Sequence, residues 1–255
     1  MPEVEYTKDG HVATVRLNRP EALNSVTPEM DRMLLDAWND INADPEIWVA
    51  VLSAEGEKAF CAGADVKVES DGPRIAFGGG LTGVGGPLVE LKKPLVVAVH
   101  GYCLGGGFEL VMCADVIVAA ETTKFGMPEI KAGIIGESGI MHRSIRQLPY
   151  RVALSMILTG DRLPADRALD FGLINEVASF EQLAEATNQW VEKLLAVSPL
   201  AAQAAKQAVL SRVGGPLEIA LATRYEEMEA YASTEDVEEG KKAFAERRAP
   251  VWKGR

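Results

Sequence analysis

The stretch KPLVVAVHGYCLGGGFELVMCADVIVAA, residues 93–120, constrains the fold more than any other part of the chain. It holds two apolar runs, 93–101 and 115–120, without the polar alternation of a half-solvated strand. Uniform apolarity of this kind implies a strand covered on both faces. Between the runs, three consecutive glycines break regular structure, and a helix is expected from about Gly107 to Ala114. Strand–helix alternation implies an α/β fold.

The flanking sequence extends the pattern. HVATVRLNRP (11–20) alternates and reads as a strand, as does IWVAVLSA (47–54). Over 24–44, Met30, Met33, Leu34, Ala37, Trp38 and Ile41 share one helical face. Thr27 followed by Pro28 supplies a helix N-cap and first position. KFGMPEI (124–130) is an extended piece with a turn; helices are expected near 138–147, 150–157 and 164–170, and LINEV (173–177) is a last short strand. From Phe180 to Arg248 the pattern is helical. This divides the chain into an α/β core, 1–195, and a helical region, 196–255. The glycine-rich segment 70–87 reads as a mobile loop, and no fixed-period repeat is visible.

Composition excludes some function classes. The formal charge of −11 argues against a nucleic-acid partner, which needs a basic surface. Arg143, Arg146 and Arg151 form either a local basic patch or a solvated helix face. Cys61, Cys103 and Cys113 are odd in number, lack metal spacing and sit in apolar surroundings, as buried free thiols of a reducing compartment do. The start, MPEVEYTKDG, has neither the basic end nor the apolar core of a signal peptide, so a cytoplasmic location is expected. His100, Glu109, Asp115 and the glycines interrupt the longest apolar stretch, so it is no membrane span. His11, His100 and His142 suggest neither a nucleophilic triad nor a metal site.

The chemistry lies in the glycine turns. The first N–H groups of a helix lack intrahelical acceptors, and glycine lets a ligand approach them closely. GYCLGGGFEL (101–110) matches no nucleotide-binding glycine pattern. The remaining use is an oxyanion hole, which holds a developing negative oxygen with about two backbone donors. Glu109 follows the glycines as a proton carrier, and CAGADVK (61–67) offers a second donor from Ala64. FGMPEIKAG adds Glu129, and GIIGESG adds Glu137. Each acid also has a plain reading: Glu109 as a solvated residue complementing the helix dipole, Glu129 as a turn acid, Glu137 as a residue near a helix start.

Together these segments resemble the crotonase family, also called the enoyl-CoA hydratase/isomerase family. The resemblance runs through NRPEALNSVTPEM, AFCAGADVK, KPLVVAVHGYCLGGGFELVMCADVIVAA, FGMPEIKAGI, LTGDRLPADRALDFGLINEV, SPLAAQAAKQAV and the tail EDVEEGKKAFAERRAPVWKGR. It implies a spiral of ββα units with a helical C-terminal region that builds homotrimers, often paired as hexamers. The implied substrate is an acyl-CoA thioester, with no metal or redox cofactor and coenzyme A entering as part of the substrate. By resemblance, the N–H groups of Ala64 and Gly106 hold the thioester oxygen, and Glu109 and Glu129 are the two catalytic acids, with Glu109 expected as the base on water and Glu129 as the general acid at C2. Ala62, Asp65, Val66 and Lys67 lie along the CoA moiety, and Arg247 falls where a neighbouring subunit contributes a basic CoA contact.

The activity this implies is hydration of a 2-enoyl-CoA, or dehydration of a 3-hydroxyacyl-CoA such as a carnitinyl-CoA. Where the hydratases commonly carry Pro-Gly, this chain has Gly136-Glu137. An acid there is similar to dienoyl-CoA isomerases and carnitinyl-CoA dehydratases, so Glu137 keeps double-bond isomerisation open as an alternative. A third alternative is a non-catalytic CoA-thioester or RNA-associated binding protein, which the acidic charge and the retained acids disfavour.

Overall fold

The computed structural model describes residues 2–65, 67–68, 90–136 and 138–255. The segment 70–87, Val66 and Glu137 lie outside the described residues. In chain order the strands are β1 (Val4–Asp9), β2 (Val12–Leu17), β3 (Val49–Ala54), β4 (Ala59–Cys61), β5 (Leu95–Val99), β6 (Tyr102–Leu104), β7 (Val116–Ala120), β8 (Lys124–Gly126), β9 (Arg162–Pro164) and β10 (Glu176–Ala178). The helices are α1 (Pro28–Ala43), α2 (Gly106–Val111), α3 (Ile140–Gln147), α4 (Tyr150–Thr159), α5 (Ala165–Asp170), α6 (Leu183–Leu195), α7 (Pro199–Leu210), α8 (Leu217–Ala222), α9 (Glu226–Tyr231) and α10 (Glu235–Glu246).

Two sheets share these strands. One is six-stranded in the order β1-β2-β3-β5-β7-β10, and the other is four-stranded in the order β4-β6-β8-β9. In the first, β1 and β2 pair antiparallel and all other neighbours are parallel. The chain steps repeatedly from the large sheet to the small one, as in β3 to β4, β5 to β6 and β7 to β8. The expected α/β spiral of ββα units is therefore observed, with α2 closing the β5–β6 unit and a helical C-terminal region following β10.

The unbroken apolarity of β5 and β7 has a direct cause. Leu95, Val97, Val99, Ile117 and Ala119 enter the main core with α1, α2 and the small sheet. Their alternates Val96, Ala98, Val116, Val118 and Ala120 enter a second core against Leu183, Ala186 and Val191 of α6. Side chains alternate across a strand, so cover on both faces demands an apolar residue at every position. The α1 expectations also hold: Met30, Leu34, Ala37, Trp38 and Ile41 are buried, and Thr27 Oγ1 accepts the Met30 N–H at 3.1 Å.

The sequence reading missed β1, whose Glu5, Lys8 and Asp9 look like a polar terminus. Its order comes from full pairing with β2, from Val4 opposite Leu17 to Asp9 opposite Val12. It also missed the three-residue strands β4, β6 and β9, which are too short to show periodicity.

Leu52 lies fully buried in the main core at the centre of β3. Leu52→Ala is expected to lower unfolding free energy by about 2–5 kcal/mol, measured by denaturant titration with an unchanged slope.

Candidate active site

The site begins where α2 meets the end of β4. A Cβ on Gly107 would lie 2.5 Å from the Cys61 carbonyl oxygen and 2.6 Å from the Cys61 Cβ. Only glycine lets the first turn of α2 lie this close to the strand. Gly105, the N-cap, has φ +53°, a left-handed value that glycine adopts without steric cost. These two requirements explain the glycine cluster: one sets the turn, the other the contact.

The second turn, Ala62–Asp65, leaves β4 beside that helix start. A Cβ on Gly63 would lie 3.4 Å from the Gly106 nitrogen. Ala62 donates its N–H to the Leu23 carbonyl at 3.0 Å, and Asp65 donates to the Val26 carbonyl at 2.9 Å. Among the described residues no backbone acceptor takes the Ala64 N–H or the Gly106 N–H. Two unspent amide donors thus come from turns that nearly touch.

Glu109 points from the first turn of α2 into the protein and is 3% exposed. Its burial excludes the solvated-residue reading. Its Oε1 accepts the Ser138 N–H at 2.9 Å and the Ile140 N–H at 3.1 Å. Glu129 sits in a 3₁₀ turn, Pro128–Ala132, directly after β8. Its Oε2 is buried and has no hydrogen-bond partner among the described residues. The two carboxyl groups meet beside Gly136: a Cβ there would lie 3.3 Å from Glu109 Oε1 and 3.5 Å from Glu129 Oε1. A Cβ on Gly105 would lie 2.8 Å from Glu129 Oε1, which sets that carboxyl against the helix start as well.

Electrostatics separate these acids from surface carboxylates. Burial raises the Glu109 pKa, and the facing Glu129 carboxylate adds to the rise. The Ile140 and Ser138 N–H groups and the Arg143 charge oppose it. Burial raises the Glu129 pKa too. A buried acid near its like shares protons with it more readily than it ionises independently.

The other sequence candidates fall elsewhere or at the rim. Asp65 is held below the usual carboxylate range by the Lys67 N–H, which donates to its Oδ1 at 3.0 Å, and by Arg19. Lys67 is exposed. Arg247 ends α10 in the C-terminal region, where its own N–H donates to the Phe244 carbonyl at 3.3 Å. Val66 and Glu137 lie outside the described residues. Cys61, Cys103 and Cys113 form no disulfide among the described residues, and burial pushes Cys61 up to about 12 and Cys113 to about 11, so these two stay protonated. Among the described residues no three His, Cys, Asp or Glu side chains gather to hold a metal, and no helix is long and apolar enough to cross a membrane.

The sequence reading treated Arg143 only as part of a basic cluster. Its charge acts on Glu109 from α3, four residues beyond the left-handed Gly139. The Gly at the helix start followed by a basic residue in its first turns was the available signal.

Comparison with known proteins agrees with this geometry. Residues 7–255 match the enoyl-CoA hydratase/isomerase family. An (E)-benzylidenesuccinyl-CoA hydratase of Thauera aromatica is 39% identical, with 96% of each chain covered. A carnitinyl-CoA dehydratase of Salmonella typhi is 38% identical over 99% of this chain and 98% of its own. Among solved structures, an enoyl-CoA hydratase from Mycobacterium tuberculosis H37Rv is 36% identical with both chains fully covered and a TM-score of 0.91. A protein of Novosphingobium aromaticivorans, named provisionally as a short chain enoyl-CoA hydratase, reaches 60% identity and a TM-score of 0.94, covering 100% of this chain and 99% of its own. A match over residues 7–255, a span that contains both glycine turns, Glu109 and Glu129, places the chain in the enoyl-CoA hydratase/isomerase family, as an enzyme of the hydratase or dehydratase type.

Proposed function

We propose that this enzyme adds water reversibly across the double bond of a 2-enoyl-CoA, with Ala64 and Gly106 as oxyanion donors and Glu109 and Glu129 as the proton-transfer pair. The observation that carries this reading is the meeting of the buried Glu109 carboxyl group with the half-buried Glu129 carboxyl group beside Gly136, near two amides without a backbone acceptor among the described residues. Water attacks C3 of the conjugated thioester only if negative charge can settle on the thioester oxygen. Two preorganised N–H donors stabilise that enolate, and losing one such donor typically costs about 3–4 kcal/mol.

The two acids must differ in protonation state. Glu109 accepts two backbone N–H bonds, which favour its carboxylate. Glu129 has an oxygen without a donor among the described residues, and its burial favours its acid form. Glu109 therefore takes a proton from the attacking water, and Glu129 gives one to C2. Dehydration runs the same transfers backwards.

The turn Ala62, Asp65, Val66 and Lys67 would follow the CoA moiety, with coenzyme A supplied by the substrate and no metal. Residues 1–195 would form the catalytic core and 196–255 the self-association region of a cytoplasmic homotrimer or hexamer. Leu217, Leu221 and Phe244 support that assembly, being 67%, 79% and 88% exposed in the single chain. Arg247, just beyond Phe244, would reach a neighbour's CoA. Benzylidenesuccinyl-CoA and carnitinyl-CoA, named for two relatives, are the first acyl groups to try beside short 2-enoyl chains.

The Gly136-Glu137 pair favours a second reading, double-bond isomerisation with Glu137 as a further proton carrier. Reaction in ¹⁸O-labelled water distinguishes the two. Label at C3 is expected; migration of the double bond without label would replace hydration by isomerisation.

Glu109→Gln and Glu129→Gln should each lower kcat by about 100-fold or more while CoA-thioester affinity stays within several-fold. Turnover at the parent rate in either variant removes that residue's role. The raised carboxyl pKa values also predict a pH effect on stability. Both groups lie above their ordinary 4.5, so ionising them penalises the folded state. The penalty is absent below about pH 4 and grows as pH rises through the folded value. Glu129→Gln is therefore expected to gain stability relative to the parent between about pH 4 and pH 8, measured by thermal melting across that range.

A further inference from the structure

The direction in which Ala64 presents its N–H is set outside the two glycine turns. Val26 donates its N–H to the Gly63 carbonyl at 2.8 Å, and Asp65 donates to the Val26 carbonyl at 2.9 Å. These bonds make an isolated parallel bridge between Val26 and Ala64. In such a bridge the two flanking residues supply the bonds, and the N–H of the residue between them points to the opposite edge. The residue before Ala64 lies against the start of α2: a Cβ on Gly63 would be 3.4 Å from the Gly106 nitrogen and 3.8 Å from the Gly105 Cα.

One side chain clamps both halves of the bridge. Arg19 Nη1 donates to the Ser25 carbonyl at 2.7 Å, and Nη1 and Nη2 both lie 3.2 Å from Asp65 Oδ2. Arg19 Nε lies 3.2 Å from Glu3 Oε1, and Glu3 Oε2 accepts the Thr27 hydroxyl at 2.6 Å. The guanidinium is thereby tied to the residue before Val26 and the residue after Ala64. Arg19 is itself anchored, because its N–H donates to Asn24 Oδ1 at 2.8 Å. Asn24 is fully buried and donates to the Glu55 and Ala59 carbonyls, each at 2.9 Å. The Arg19 and Asp65 side chains are only 16% and 12% exposed, so water screens their attraction less than it screens a surface pair.

We propose that Arg19 is a positioning residue for the oxyanion hole: through Asp65 and the Ser25 carbonyl it fixes the bridge that aims the Ala64 N–H at the thioester oxygen. This rests on the reading of Ala64 and Gly106 given above. A planar fork suits the task, since it binds a carboxylate and a carbonyl at fixed angles where a lysine offers one mobile point charge. Arg19 has its partners in Glu3, Ser25 and Asp65, so its loss acts on charge stabilisation and leaves the two glutamates in place. A displacement of about 1 Å in such a site can cost about 100-fold in rate.

The test uses a conjugated aryl-acryloyl-CoA, whose absorbance moves to longer wavelength when its thioester oxygen accepts hydrogen bonds. The parent enzyme is expected to produce that shift; none in the parent would remove the oxyanion reading itself. Given the parent shift, Arg19→Gln should lose most of it, lower kcat about 10- to 100-fold and leave KM within about threefold. Arg19→Lys should fall between Gln and the parent. Asp65→Asn should reproduce part of the loss, and the Arg19→Gln/Asp65→Asn double variant should be little worse than Arg19→Gln alone. An undiminished shift in Arg19→Gln overturns the proposal, whether kcat is kept or lost. If Arg19→Gln does not fold, Arg19→Lys and Asp65→Asn carry the same comparison, and a full shift in both overturns it.

Discussion

The contact between Gly107 and Cys61 is the constraint on which the site depends. It brings the start of α2 against the end of β4 with no space for a Cβ. From it follow the nearness of Gly63 to Gly106, the pairing of two unspent amides, and the inward direction of Glu109. Any side chain at that point would lever the helix away from the strand and separate the donors. The large sheet serves the same geometry from behind. Its central strands are covered on both faces, so they form a rigid base from which the small sheet and its turns project.

The site is assembled at a cost to stability. Two carboxyl groups are held away from water and near each other, and both titrate above their ordinary range. A structure optimised for stability alone would not place an unpartnered carboxyl oxygen, Glu129 Oε2, in its interior. The cost is offset by the extensive core around it, and in the proposed reaction the two acids would exchange roles when the direction reverses. The two N–H bonds to Glu109 from the start of α3 break the symmetry between them. In the proposed reaction it is hydrogen bonding, not residue type, that would make Glu109 the base.

Much of the fold was legible along the chain, for identifiable reasons. The covered strands β5 and β7 announced themselves by continuous apolarity, and α1 by its period and its Thr27–Pro28 start. Short pieces were not legible: β4, β6 and β9 have three residues each and exist because a neighbour pairs with them. The supporting shell was invisible for a related reason. Arg19 and Asn24 look like ordinary polar residues in a turn-rich segment, and their importance arises from partners 46 and 35 positions away.

The sequence by itself determined the α/β class and the two glycine turns and singled out Glu109 and Glu129 as candidate acids, because those depend on local periodicity and residue chemistry. It left Glu109 open to a solvated reading, and its assignment of Glu109 as base and Glu129 as acid rested on no hydrogen-bond partner. Only the tertiary structure decided that Glu109 is buried, that it meets Glu129 beside Gly136, and that the turn at Gly63 lies against the start of α2. The physical reason is that burial, distance and hydrogen-bond partner are properties of segments brought together from far apart in the chain, and no window of residues contains them.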